Sequence, residues 1–189
     1  METPTFADNY RFLAQYNRWI NERLYAACET LTDEERKRDR GAFFGSIHHT
    51  LGHLVLADQA WLRRFAQCGI ENGIRFTSLG AEVLDMPEVY TLDMVLYEDW
   101  AGLKAKRQQL DIAIEQWTAD MPEAYPGMTM RYANSKGVRR EHVVWKALTH
   151  FFNHQTHHRG QATTLLTQAG ASVGVTDLIA LVMDNPALL

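Results

Sequence analysis

Cysteine is scarce in this chain. Cys28 and Cys68 are the only two, and they form no CxxC pair. A disulfide framework is therefore excluded as the organising principle. Long apolar runs are also missing, since no stretch approaches the roughly 20 residues that cross a bilayer. Met1-Glu2-Thr3-Pro4 lacks the basic segment and apolar core of a signal peptide. These absences point to a reduced, cytoplasmic protein with no membrane partner. Positive charge is not in excess either: 19 Lys and Arg stand against 23 Asp and Glu, for a net charge of −4. The pI of about 6.0 argues against a broad electrostatic footprint for nucleic acid. The one basic cluster, Arg36-Lys37-Arg38 with Arg40, follows three acidic residues and is interrupted by Asp39, as in a solvated loop or helix end. GxSxG, P-loop, GxGxxG and HExxH motifs are all absent, so serine-hydrolase, nucleotide-binding and zincin chemistry lack support.

What is present suits one domain, 1–189, with 46% hydrophobic residues to build a core. Four long helical patterns stand out. The first runs from about Thr5 to Glu29, where Phe6, Tyr10, Leu13, Asn17, Ile20 and Leu24 recur at steps of three and four. The second starts after Ser46, a plausible N-cap, and runs to about Gln67. Gly69, Gly73, Gly80 and Pro87 punctuate the long connection that follows. The third pattern spans about Thr91 to Thr118, and the fourth about Glu141 to Gln168, with Gly170 as its stop. Between them, alternation around Asn134-Ser135-Lys136-Gly137 suggests a short β-hairpin. A short helix is expected near Asp177 to Met183. The architecture expected is all-α: a four-helix bundle with a long crossover between helices 2 and 3 and a short β-hairpin before helix 4.

Histidine is the residue placed most unevenly. Four of the eight fall between His150 and His158, and His150, His154 and His158 are spaced i, i+4, i+8. On a helix this spacing stacks side chains on one face, so that two imidazoles can grip one divalent ion. With His154 at zero on a wheel of 100° per residue, Ala147, Phe151, Ala162 and Leu165 fall between roughly 20° and 80°. His158, at roughly 40°, lies inside that apolar stripe, whereas His150 and His157 fall at its edge. The second helix offers a third ligand. His53 adjoins the small residues Ala57 and Ala60, His49 is the fallback, and His48 is expected to be exposed. The competing explanation is a set of buried, hydrogen-bonded histidines without metal, and spacing alone leaves the two even.

Leu51-Gly-His53-Leu-Val-Leu-Ala-Asp58-Gln-Ala-Trp61-Leu62 resembles the second-helix signature of the DinB (damage-inducible) family. His150-Phe-Phe-Asn-His154-Gln-Thr-His157-His158-Arg159-Gly160-Gln161 resembles that family's HHRGQ segment. Tyr16-Asn17-Arg18-Trp19, Phe44-Gly45-Ser46-Ile47 and Thr176-Asp177 extend the likeness over nearly the whole chain. The resemblance implies a four-helix bundle, often a homodimer, with a divalent metal on His53, His154 and His158. It does not make His157 a ligand. The wider superfamily includes thiol-dependent transferases that use bacillithiol or mycothiol, a mycothiol-dependent maleylpyruvate isomerase and a domain in ergothioneine synthesis.

Three neutral histidines would leave the metal its full charge and an open position for water or substrate. A thiol coordinated there is deprotonated outright. The leading expectation is a metal-dependent enzyme that activates a low-molecular-weight thiol for transfer to a small-molecule electrophile. Zinc is preferred, with nickel or iron possible. Gln161, one turn from His158, is a candidate acceptor for the other ring nitrogen of a metal-binding histidine, or an ordinary exposed glutamine. Arg159 could bind the carboxylate of an anionic thiol, or form an interhelical salt bridge. Asn17, on the inward line of the first helix, is a candidate polar site residue. The five tryptophans are read mostly as packing. Two alternatives remain: metal-dependent hydrolysis, lowered by the lack of an acid near the HHRGQ segment, and a non-catalytic metal- or stress-responsive binding protein.

Overall fold

The computed structural model describes residues 3–134 and 137–185. Among these the chain is mostly helical, with one two-stranded antiparallel sheet. In chain order the elements are α1 (Phe6–Glu29), α2 (Asp33–Lys37), α3 (Ile47–Glu71), α4 (Ala81–Leu84), α5 (Trp100–Ala119), β1 (Thr129–Ala133), β2 (Arg139–Val143), α6 (Val144–Gln168) and α7 (Leu178–Asp184). A single 3-10 turn, Tyr125–Gly127, precedes β1. Among the described residues no helix is long and apolar enough to cross a membrane.

Local chemistry explains most boundaries. A capping box starts α1: the Thr5 hydroxyl accepts from Asp8 N–H, and the Asp8 carboxylate accepts from Thr5 N–H at 2.8 Å. The Ser46 hydroxyl accepts from His49 N–H at 3.1 Å and starts α3 where the cap residue predicts. That helix runs on to Glu71, past the expected end at Gln67. Gly69 is therefore helical, and it lets the following loop close tightly on the helix. A Cβ there would lie 2.8 Å from the Phe76 ring and 2.9 Å from the Ile74 carbonyl oxygen.

The third long helix departs most from expectation. It begins at Trp100 rather than Thr91. The Asp99 carboxylate accepts from Gly102 N–H at 2.7 Å and caps the helix there. Upstream, the Leu92 and Tyr97 carbonyls receive hydrogen bonds from histidines on α3 instead of joining a helical ladder. The fourth helix starts at Val144, because residues 139–143 are committed to β2. In the hairpin, Thr129 pairs with Val143 and Ala133 with Arg139. Its expected turn is closed by a hydrogen bond of 3.0 Å from Asn134 N–H to the Val138 carbonyl, while Ser135 and Lys136 lie outside the described residues.

The long helices pack on one another, α1 against α5 and α6, and α3 against α5 and α6. Phe65, Trp117 and Phe151, from three of them, meet in the core with ring centroids 4.9 to 6.2 Å apart. Every residue from 50 to 60 on α3 is buried. The connection over residues 72–99 covers the outer side of this helix. Gln59 Nε2 donates to the Asp85 carbonyl at 2.6 Å, and Arg63 Nε to the Leu84 carbonyl at 2.7 Å. This cover corrects the expectation for His48. That side chain is fully buried, with Nε2 2.8 Å from the Tyr97 carbonyl. The helical wheel assumed one solvated face, and α3 has almost none.

Candidate metal centre

One turn separates His154 from His158 on α6, and α3 brings His53 against both. The three imidazoles each offer one nitrogen, all within 4.8 Å of one another. His154 Nε2 lies 3.3 Å from His53 Nε2 and 3.1 Å from His158 Nε2. Tetrahedral zinc with bonds of about 2.0–2.1 Å requires ligand nitrogens roughly 3.3 Å apart. The separations match that edge.

The outer nitrogens decide the protonation. His53 Nδ1 is 2.7 Å from the Leu92 carbonyl oxygen, which can only accept, so Nδ1 carries the hydrogen. His158 Nδ1 is 2.7 Å from Gln161 Oε1, again an acceptor. Neutral His53 and His158 therefore present bare Nε2 lone pairs to the centre. A proton on His154 Nε2 could satisfy one of them, and the other would still lack a donor. A divalent cation satisfies all three at once. The charged forms are disfavoured as well. Burial and the neighbouring imidazoles push His154 down to about 3. Burial also lowers His53 and His158, although their hydrogen bonds to Leu92 and Gln161 oppose it. The residues fit a metal on chemistry and spacing alike.

Aromatic packing sets the ring orientations. Phe44, just before α3, stacks on His53 with centroids 4.1 Å apart and meets His158 edge-on at 5.5 Å. The trio forms the floor of an open cavity of about 730 Å³. Phe43, Phe44, His49, Leu92, Asp93 and Met94 supply the rest of its lining.

The other candidates are distributed as follows. His49 is exposed and lines the cavity, but is not among the converging nitrogens. His150 is exposed and lies against Trp61, with ring centroids 5.0 Å apart. His157 is exposed, with Nε2 accepting from the Gln161 amide at 3.3 Å. Arg159 and Asn17 do not reach the cavity. Both are buried, and Arg159 Nη1 donates to Asn17 Oδ1 on α1, an interhelical hydrogen bond in place of the expected salt bridge. Both cysteines are buried, and burial raises their thiols, Cys28 to about 12, which removes them as nucleophiles at neutral pH.

Asn17 and Arg159 instead belong to a buried polar network that the sequence reading missed. Asn17 Nδ2 and Asn21 Nδ2 donate to Asp111 Oδ1 at 3.2 and 2.8 Å. Arg107 lies 3.0 Å from Asp111 and donates to Asp58 at 2.5 Å. The chain of contacts ties α1, α3, α5 and α6 together beside the three histidines. Asp58 lies five residues after His53, and Arg159 directly follows His158. The i, i+4 pair Arg107 and Asp111 was the available signal, on a helix face otherwise read as apolar. Phe43 and Phe44 were also missed, since turn residues carry no periodicity, and the 92–94 segment was missed because its composition reads as the start of a helix that begins only at Trp100.

The chain is 25% identical over 168 residues to Protein DinB of Bacillus subtilis (strain 168), covering 87% of this chain and 88% of that one. No solved structure matches it significantly. A family model described as DinB family matches residues 1–184. A whole-length match of this kind, on a chain whose helices bring one α3 histidine against an HxxxH pair on α6, places the protein in the DinB family.

Proposed function

We propose that His53, His154 and His158 hold a divalent metal ion, zinc in preference to nickel or iron, and that the protein is a metal-dependent thiol S-transferase. The observation that supports this most directly is the set of converging Nε2 lone pairs, too few protons between them, on the floor of a cavity open to solvent. The metal would supply a full positive charge and an open coordination position that favours a thiolate over a thiol. The protein's own part is to hold the ligands ready. The Leu92 carbonyl and Gln161 fix the Nδ1–H tautomers, Phe44 pins two rings, and burial keeps the imidazoles neutral. The apolar cavity walls of Phe43, Phe44, Leu92 and Met94 would seat a small electrophile beside the thiol. Because neither cysteine is available, the thiol is a cosubstrate.

In this reading α1, α3, α5 and α6 form a four-helix bundle, supported by their mutual packing. The working unit is a homodimer, which rests on the family resemblance, and the chain's two free cysteines suit the reducing cytoplasm. One observation favours a second reading. Asp93 lines the cavity from the segment before α5 and gives hydrolysis a carboxylate base that the HHRGQ segment lacks. Zinc-loaded protein incubated with thiol and electrophile, together and separately, tests the choice. Conjugation that needs both reagents and disappears in His154→Ala supports transfer. Turnover of the electrophile without thiol replaces it with hydrolysis.

A further inference from the structure

The cavity above the three histidines has an unusual charge balance for a site expected to bind a metabolic thiol. Phe43, Phe44, Leu92 and Met94 make its walls apolar. Asp93 is the only acid or base, histidines aside, among the described residues lining it. Its carboxyl is held below the ordinary range by the Thr91 hydroxyl and by backbone, so it is ionised at neutral pH. The arginine nearest the metal ligands in sequence is turned away: Arg159 is buried, bonded to Asn17 and Thr156. Arg40 is paired with Glu35, and Arg64 lies over Trp61 and Tyr132. An anionic group carried on a thiol would meet Asp93 with no guanidinium or ammonium among the described lining residues to offset it.

We propose that this site selects thiols on an apolar body that carry no carboxylate, and favours those ending in an ammonium group over those ending in an anion. The proposal rests on the metal-thiol reading above. Apolar substituents gain by covering the Phe43, Leu92 and Met94 surface, at roughly fourfold in affinity per buried methylene. An ammonium gains from Asp93. That carboxylate is exposed, so the effect is modest, about two- to fivefold.

Cobalt-loaded protein gives a readout that does not depend on turnover. Cobalt binding is read from its visible absorbance, and thiolate coordination from the near-ultraviolet charge-transfer band. Cysteamine, propanethiol, 3-mercaptopropionate and benzyl mercaptan would be titrated at pH 8, above the ordinary imidazole range. Each is compared between the wild type and Asp93→Asn, so that intrinsic differences among the thiols cancel. The expected result is cysteamine binding weakened about two- to fivefold by the substitution and 3-mercaptopropionate strengthened by a similar factor. Propanethiol should be unchanged, and benzyl mercaptan should bind most tightly of the uncharged pair. Wild-type to Asp93→Asn affinity ratios that are the same for cysteamine, propanethiol and 3-mercaptopropionate, or 3-mercaptopropionate binding the wild type more tightly than the other thiols, would overturn the charge selection while leaving the thiol reading intact. No charge-transfer band with any thiol, on protein that shows bound cobalt, would overturn the thiol reading itself.

Discussion

Gln161→Leu is the substitution whose consequence follows most directly from the geometry. Gln161 Oε1 accepts the Nδ1 hydrogen of His158 at 2.7 Å, which fixes the tautomer that points Nε2 at the centre. Leucine has a similar size and accepts nothing. The Nδ1–H then loses its partner on a side chain that is only 8% exposed. Losing such an outer partner costs about 10- to 100-fold in metal affinity. Tenfold corresponds to about 1.4 kcal/mol. The lower end is expected here, because Phe44 still packs against the ring and limits its rotation. Competition with a chromophoric chelator at fixed pH would measure the affinity. Gln161→Glu should move it the other way, since a carboxylate makes the imidazole a stronger donor. Gln161→Leu protein that binds zinc within a factor of two of wild type would refute the argument that this hydrogen bond orients the ligand.

Other outcomes follow from the same structure. Asp58→Asn removes one counter-charge from the buried Arg107, and with Asp111 still present the loss should be near the low end for a broken buried pair, about 3 kcal/mol by chemical denaturation. Phe65→Ala empties the centre of the ring cluster and should cost about 3–5 kcal/mol, lowering the thermal midpoint by roughly 6–20 °C. At the first helix, hydrogen bonds from Thr5 hold the Asp8 carboxyl below the ordinary aspartate value of about 3.9. Its contribution to stability is therefore present above that value and lost as pH falls through the lower folded one. Asp8→Asn should flatten this part of the acid-unfolding curve, and an unchanged curve would show that the capping box contributes nothing.

Much of this molecule could be read from the sequence where a short-range rule applied. Ser46 marks the start of α3, and the i, i+4 spacing with the apolar stripe puts His154 and His158 on one side of α6. The hairpin sits where alternation broke the helical pattern. The misreadings that bear on the site share one cause, which is contact over long sequence distance. His48 is buried because Tyr97, 49 residues later, lies over it. Residues 91–99 have helix-compatible composition, but their carbonyls serve His48 and His53. Asn17 faces inward as its position on the first helix suggests, yet it pairs with the buried Arg159 across 142 residues instead of facing the cavity. The cavity lining comes from turns before α3 and α5, whose positions only the folded chain reveals.

The central claim is that His53, His154 and His158 hold one metal ion together. Elemental analysis of untagged protein, alongside His53→Ala, His154→Ala and His158→Ala, tests it most directly. The wild type should carry about one divalent ion per chain and each variant should lose it, with the helical circular dichroism retained. Wild-type protein that carries no metal and takes up neither zinc nor nickel would contradict it, and the three imidazoles would then be buried polar groups only.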